Sequence, residues 1–210
     1  MNENDFVIHE KARGDVYRFL SQCYRGPDHD LIEKVNDLQN AADIIDPGTG
    51  SIFPSIEKLN ELLIDHSQLF VGPFKLQAPP YGSVYLEGER KVMGNSTLDA
   101  IRRYKAAGLD ISDDHKESPD HITVELEFMY YLIHKELQVI KQADIEGTLD
   151  NLNVQVRFLQ DHLGAWVPGF SDNIEQNTGT GFYKNLAGFT RAFIEKDMAD
   201  LRETIDGLSS

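Results

Sequence analysis

The sequence predicts an all-α protein, a single compact helical domain over residues 1–210 with one long extended loop. Three observations carry this. Apolar residues recur at helical spacing through most of the chain, strand-like alternation is scarce, and glycine–proline or glycine-rich breaks separate the periodic segments. The length suits one domain, or two small ones, and allows a substantial core.

Residues 5–24 place Val16, Phe19, Leu20, Cys23 and Tyr24 on one stripe, which "RGPDHD" terminates. A second helix is expected from Asp30 to about Ile45, closed by "DPGTGS". Pro54 suits the first turn of a third, which continues through Leu59, Leu62 and Leu63 to Leu69 and Phe70. Gly72-Pro73 stops it, and Pro79-Pro80 holds the following chain extended. A short helix is expected over Ser96–Ala107, ended by Gly108. "DISDDHKESP" then reads as a polar linker; a hinge over 108–118 there allows either a monomer or a domain-swapped dimer.

Ser118 and Pro119 fit the N-cap and first position of a helix that is apolar nearly all round between Leu126 and Ile133. Such a helix belongs at the centre, packed on several sides. Leu152, Val156, Leu159 and Leu163 form the next stripe, and "GAWVPGFSDNIEQN" reads as an interruption. Phe182, Leu186, Phe189, Phe193, Leu201 and Ile205 mark a long final helix. The chain has no internal repeat and no low-complexity tract.

Charge narrows the function. The 20 basic and 35 acidic side chains give a net charge of −15, which argues against nucleic acid and fits a partner that is basic where contacted. A single cysteine, Cys23, excludes an internal disulfide and a thiolate zinc site, and its helical spacing makes it a small buried hydrophobe. The N-terminus lacks a secretory pattern and no apolar run approaches about 18 residues, so the chain is expected to be cytoplasmic without a transmembrane segment.

Specific chemistry is hard to find. There is no HExxH motif and no Glu-x-x-His pair on two helices, and Asp113-Asp114-His115 sits in a solvated linker, so no metal site is expected. Neither a P-loop nor GxGxxG is present; "GTGSIFPS" and "NTGTGF" suffice as turns. Ser83 with His121 and Asp120 makes a poor triad, because an orienting Asp normally comes from elsewhere in the chain. The expectation is no enzyme and no cofactor. Two alternatives stay open: a small-substrate or nucleotide-binding enzyme using Asp120 and His121, or a helical assembly subunit without its own ligand.

What remains is a recognition surface. "LFVGPFKLQAPPYGSVYL", residues 69–86, keeps an apolar and aromatic composition on a backbone full of helix breakers. Each residue has a plain explanation by itself: Asp120 as an ordinary helix-start residue, Pro79-Pro80 as a rigid turn, Phe74, Tyr81 and Tyr85 as filling beneath a loop. Together with Asp120-His121 they suggest one wall of a groove.

Three motifs in order, "LFVGP" at 69–73, "PPYGSVY" at 79–85 and "PDH" at 119–121, resemble the signature of the TorD/DmsD family of redox-enzyme maturation chaperones. "VELEFMYYL" and "FLQDHLGAWVPGF" are similar to the family's later helices, and "GNST" with the Pro-Pro-aromatic step looks closer to the DmsD branch. His66, Phe74 and Tyr81 stand where DmsD-like members often carry Trp. The resemblance implies a cytoplasmic all-helical chaperone. Such a protein binds the twin-arginine signal peptide of a molybdenum-cofactor oxidoreductase subunit and holds it back from export until the cofactor is inserted. It implies signal-peptide contacts from Leu69, Phe70, Gly72, Pro73, Phe74, Pro80, Tyr81, Ser83, Tyr85, Asp120 and His121. Within these, Asp120 would accept a charge-assisted bond from arginine, the aromatics would cover the apolar stretch, Ser83 would fix the turn after Pro80, and His121 would either bond the peptide backbone or hold the loop against the helix start. Weak guanine nucleotide binding is implied by the resemblance alone; no motif here carries it.

Overall fold

A computed structural model describes residues 3–47, 52–53, 56–72, 75–87, 93–110 and 117–208. The stripe on residues 16–24 becomes the inner face of α1 (Glu3–Tyr24), with Val16, Tyr17, Leu20 and Cys23 fully buried. Burial pushes the Cys23 thiol up to about 12, as suits a small core hydrophobe rather than a nucleophile. Helix α2 (Leu31–Ile45) packs on α1 through Leu31, Val35, Leu38 and Ala42, spaced one helical turn apart.

The third helix differs from expectation. Helix α3 spans Leu59–His66 and is preceded by extended backbone at Lys58; Pro54 and Ser55, the expected start, lie outside the described residues. It runs on as a π-helical turn over Ser67–Val71, which Gly72 ends by donating its N–H to the Ser67 carbonyl at 2.7 Å. Gly72 has φ +75°, a conformation that costs glycine little. The loop beyond is not extended throughout, because Gly82–Leu86 forms a short helix, α4. Helix α5 follows over Asn95–Ala106, and Gly108 ends it at φ +91°.

Helix α6 (Ile122–Ile140) begins three residues later than the sequence suggests. Ser118, Pro119 and Asp120 fold as a turn closed by His121 N–H on the Ser118 carbonyl at 2.9 Å, and His121 becomes the N-cap. Its ring Nδ1 accepts the Thr123 N–H at 3.3 Å. The helix is central as expected, packing on α1, α7 (Ile145–Asp161) and α8 (Leu163–Asn177), with Leu126, Met129, Leu132 and Ile133 buried.

"GAWVPGF" does not interrupt the helices; α8 passes through it with Pro168 inside. An interior proline costs about 3 kcal/mol. Trp166, Val167, Phe170 and Ile174 are all buried on this helix, and burying one such side chain contributes about 1.5–3 kcal/mol, so packing outweighs the break. Arg191 also donates to the Pro168 carbonyl at 2.9 Å. Helix α9 (Gly181–Leu208) closes the bundle against α7 and α8.

Candidate functional site

Among the described residues the only β pairing is an isolated antiparallel bridge between Tyr81 and His121, and it builds the site. Ile122 N–H donates to the Pro80 carbonyl at 2.9 Å, and Gly82 N–H to the Asp120 carbonyl at 2.8 Å. The "PPYGSVY" and "PDH" motifs are thereby clasped into one wall. The Tyr81 ring stands edge-on to the His121 ring, centroids 5.3 Å apart.

Asp120 locks this clasp from within. Its carboxylate is fully buried, accepts the Ser83 N–H at 2.8 Å, and takes a short hydrogen bond from the Ser118 hydroxyl. Burial alone would raise its pKa, but hydrogen bonds from Ser118 and Ser83 outweigh that and hold the carboxyl below the usual range. In this arrangement Asp120 shapes the groove wall rather than presenting a charge inside it. Ser83, also buried, fixes the turn after Pro80 through its backbone.

The wall faces a groove of about 490 Å³. Phe70, Leu76, Pro80, Tyr81 and Val124 give it an apolar lining, and the rings of His66 and Phe70 meet edge-on at 5.2 Å. Burial lowers the pKa of His66, which favours its neutral form. Two carboxylates mark the rim. Glu117 lies 3.8 Å from His121 Nε2, and Glu127 is ion-paired with Arg25 at the end of α1.

The structure therefore brings Phe70, Pro80, Tyr81 and His121 together on the groove. Leu69 is fully buried in the core behind them, and Gly72 sets the turn after the π-helical segment. Tyr85 faces elsewhere: it stacks on Trp166 at 5.6 Å, and its hydroxyl accepts from Asn173 at 3.2 Å. Pro73 and Phe74 lie outside the described residues. His66, singled out by the resemblance, lines the groove as well, whereas sequence reasoning missed Tyr24, Arg25, Leu76, Glu117 and Glu127 as lining residues. Glu127 had a signal, a charge one turn beyond Thr123 at the start of the largely apolar run Leu126–Ile133; Arg25 had none beyond ending α1.

Behind the wall lies a second buried network. Glu125 accepts the Trp166 indole N–H at 2.8 Å and meets His162 Nδ1 at 3.2 Å, while His162 Nε2 meets Asp99 at 3.0 Å. Burial alone would lower the His162 pKa, but these two carboxylates outweigh it and raise the pKa above the usual imidazole value. Among the described residues no group of three or more His, Cys, Asp or Glu side chains is placed to hold a metal ion, and no helix is long and apolar enough to cross a membrane.

Fold and groove together define an all-helical domain with an apolar groove edged by carboxylates. The chain belongs to the nitrate reductase delta subunit family, whose model matches residues 28–172. It is similar to the chaperone protein TorD of Vibrio parahaemolyticus, at 27% identity over 91% of this chain and 95% of that one. It is also similar to the chaperone protein TorD of Photobacterium profundum, 30% identical over 89% of this chain and 81% of the relative. A crystal structure described as a redox enzyme maturation protein from Archaeoglobus fulgidus shares the fold, with TM-score 0.57 and 22% identity over 87% of this chain and 93% of that one. The protein is thus a TorD-type redox-enzyme maturation chaperone and not a catalyst.

Proposed function

We propose that the chain binds the twin-arginine signal peptide of a molybdenum-cofactor oxidoreductase subunit in the cytoplasm, holding it from export until the cofactor is inserted. The observation that carries this reading is the groove, an apolar lining of Phe70, Leu76, Pro80, Tyr81 and Val124 with Glu117 and Glu127 at its rim. A twin-arginine signal offers the complement, two adjacent guanidinium groups followed by an apolar stretch. The net charge of −15 adds a field that draws such a cationic segment in. Asp120 contributes by holding the loop wall in place.

Calorimetry with a synthetic signal peptide tests the proposal. Binding at micromolar Kd, roughly −8 kcal/mol, is expected for the Arg-Arg peptide, with weaker binding for the Lys-Lys version. Phe70→Ala should weaken it about tenfold or more by removing a lining aromatic. No heat with any precursor signal encoded beside the gene would overturn it.

A further inference from the structure

The guanidinium position at Glu127 is already filled by the chain itself. Arg25, the residue after α1, donates from Nη2 to Glu127 Oε1 in a short ion pair, and Ser21 Oγ donates to the same oxygen at 3.3 Å. Both charged residues line the groove beside Phe70 and Tyr81. The Arg25 side chain is 59% exposed and that of Glu127 42%, so the pair stands at the wet rim, where ion pairs exchange readily. Glu117 engages no cation within 4.0 Å other than His121 among the described residues. One rim carboxylate is therefore satisfied by an internal arginine, and the other, among the described residues, meets only the His121 ring.

We propose that Arg25 is a built-in competitor, occupying in the free chain the place where Glu127 receives an arginine of the bound peptide. This rests on the groove being the signal-peptide site. A carboxylate geometry that already accepts a guanidinium is pre-shaped for another, and a lysine ammonium reproduces neither its planarity nor its fork of donors. Displaced Arg25 is not stranded. It sits beyond the C-terminal end of α1, where the carbonyl end of the helix favours a cation, and it swings into water. The occupied site raises selectivity, because a ligand without guanidinium groups leaves the Arg25–Glu127 pair closed.

The test measures affinity of wild type, Arg25→Gln, Glu127→Gln and the double variant for three synthetic peptides: Arg-Arg-Phe-Leu followed by an alanine–leucine stretch, its Lys-Lys version, and its neutral citrulline–citrulline version. Removing the competitor is expected to tighten the Arg-Arg peptide about two- to fivefold. Glu127→Gln is expected to weaken it, and Arg25→Gln should bring no tightening in the Glu127→Gln background. The citrulline peptide should bind all four chains alike. If the Arg-Arg peptide binds but Arg25→Gln leaves affinity unchanged or lowers it, the competitor role is overturned while the groove assignment stands. Tightening that also occurs for the citrulline peptide, or without Glu127, makes Arg25 a steric block and equally overturns exchange at Glu127. No binding of any peptide by any of the four chains removes the signal-peptide reading and this inference with it.

Discussion

The carboxylate of Asp120 faces the loop, and that orientation defines its role. Helix-start logic places an Asp near the amides of its own helix. Asp120 instead accepts an amide of α4, Ser83 N–H, 37 residues earlier in the chain. Replacing it with Asn keeps the shape but loses the charge-assisted bonds, so Asp120→Asn should cost about 1–3 kcal/mol in urea unfolding at pH 7. The pH dependence has a definite sign. The folded pKa lies below the ordinary Asp value, so this stabilisation is present above about pH 4 and fades as pH falls through the lowered folded value. The gap between wild type and Asp120→Asn should therefore narrow toward about pH 3; a gap unchanged by acid would count against this account. That Asp120 and His121 matter was legible in the sequence. That one caps a remote helix while the other caps its own was not, because the clasp is made by backbone bonds between distant segments.

At the scale of elements, α4 is the feature the sequence concealed. A five-residue helix is far too short for periodicity to declare, and between Pro80 and the residues after Leu86 it has little independent stability. It exists because α5 and α8 pack against it and Asp120 holds its start. Gly82 lets it approach: a Cβ there would lie 3.1 Å from the Trp166 indole nitrogen and 3.3 Å from Cδ1. Gly82→Ala should push Trp166 away from Glu125 and cost about 1–3 kcal/mol. Trp166 is the only tryptophan, so the displacement can be read directly as a shift in fluorescence emission, alongside thermal unfolding. Unchanged emission and stability would show that the contact yields without consequence. Helix α8 carries the opposite lesson, since Pro168 suggests a break that tertiary packing overrides.

Across the whole molecule one buried arginine ties four helices together. Arg13 of α1 bonds Glu10 at 2.8 Å, Glu136 of α6 at 3.1 Å, Gln155 of α7 at 2.6 Å and Asp197 of α9 at 3.2 Å. Tyr17 adds a bond to Asp197 at 2.6 Å. A single cation among three buried carboxylates leaves negative charge in excess. Burial raises Glu136 to about 7 and raises Asp197, while Arg13 draws Glu10 down against its own burial. A raised folded pKa means that the Glu136 contribution is fully present below its unfolded value near 4.5 and is lost as pH climbs through 7. Glu136→Gln removes that titration. The variant should lose less stability than wild type between about pH 5 and pH 8, a difference on the order of 2 kcal/mol in denaturant unfolding. Parallel curves for the two proteins over that range would refute it.

The sequence by itself determined the all-helical class, the places of α1, α2, α5 and α9, the central position of α6, and the motifs that meet at the groove. These depend on local periodicity, on helix breakers and on residue types, all of which are written along the chain. Tertiary structure decided which of those residues face the groove and which lie behind it. Leu69, Ser83 and Asp120 turned inward, Tyr85 turned to α8, and Arg25, Glu117 and Glu127 arrived at the rim from separate segments. The physical reason is that a side chain's exposure is set by what packs against it across the fold, and contacts between residues tens of positions apart leave no periodic trace in the sequence.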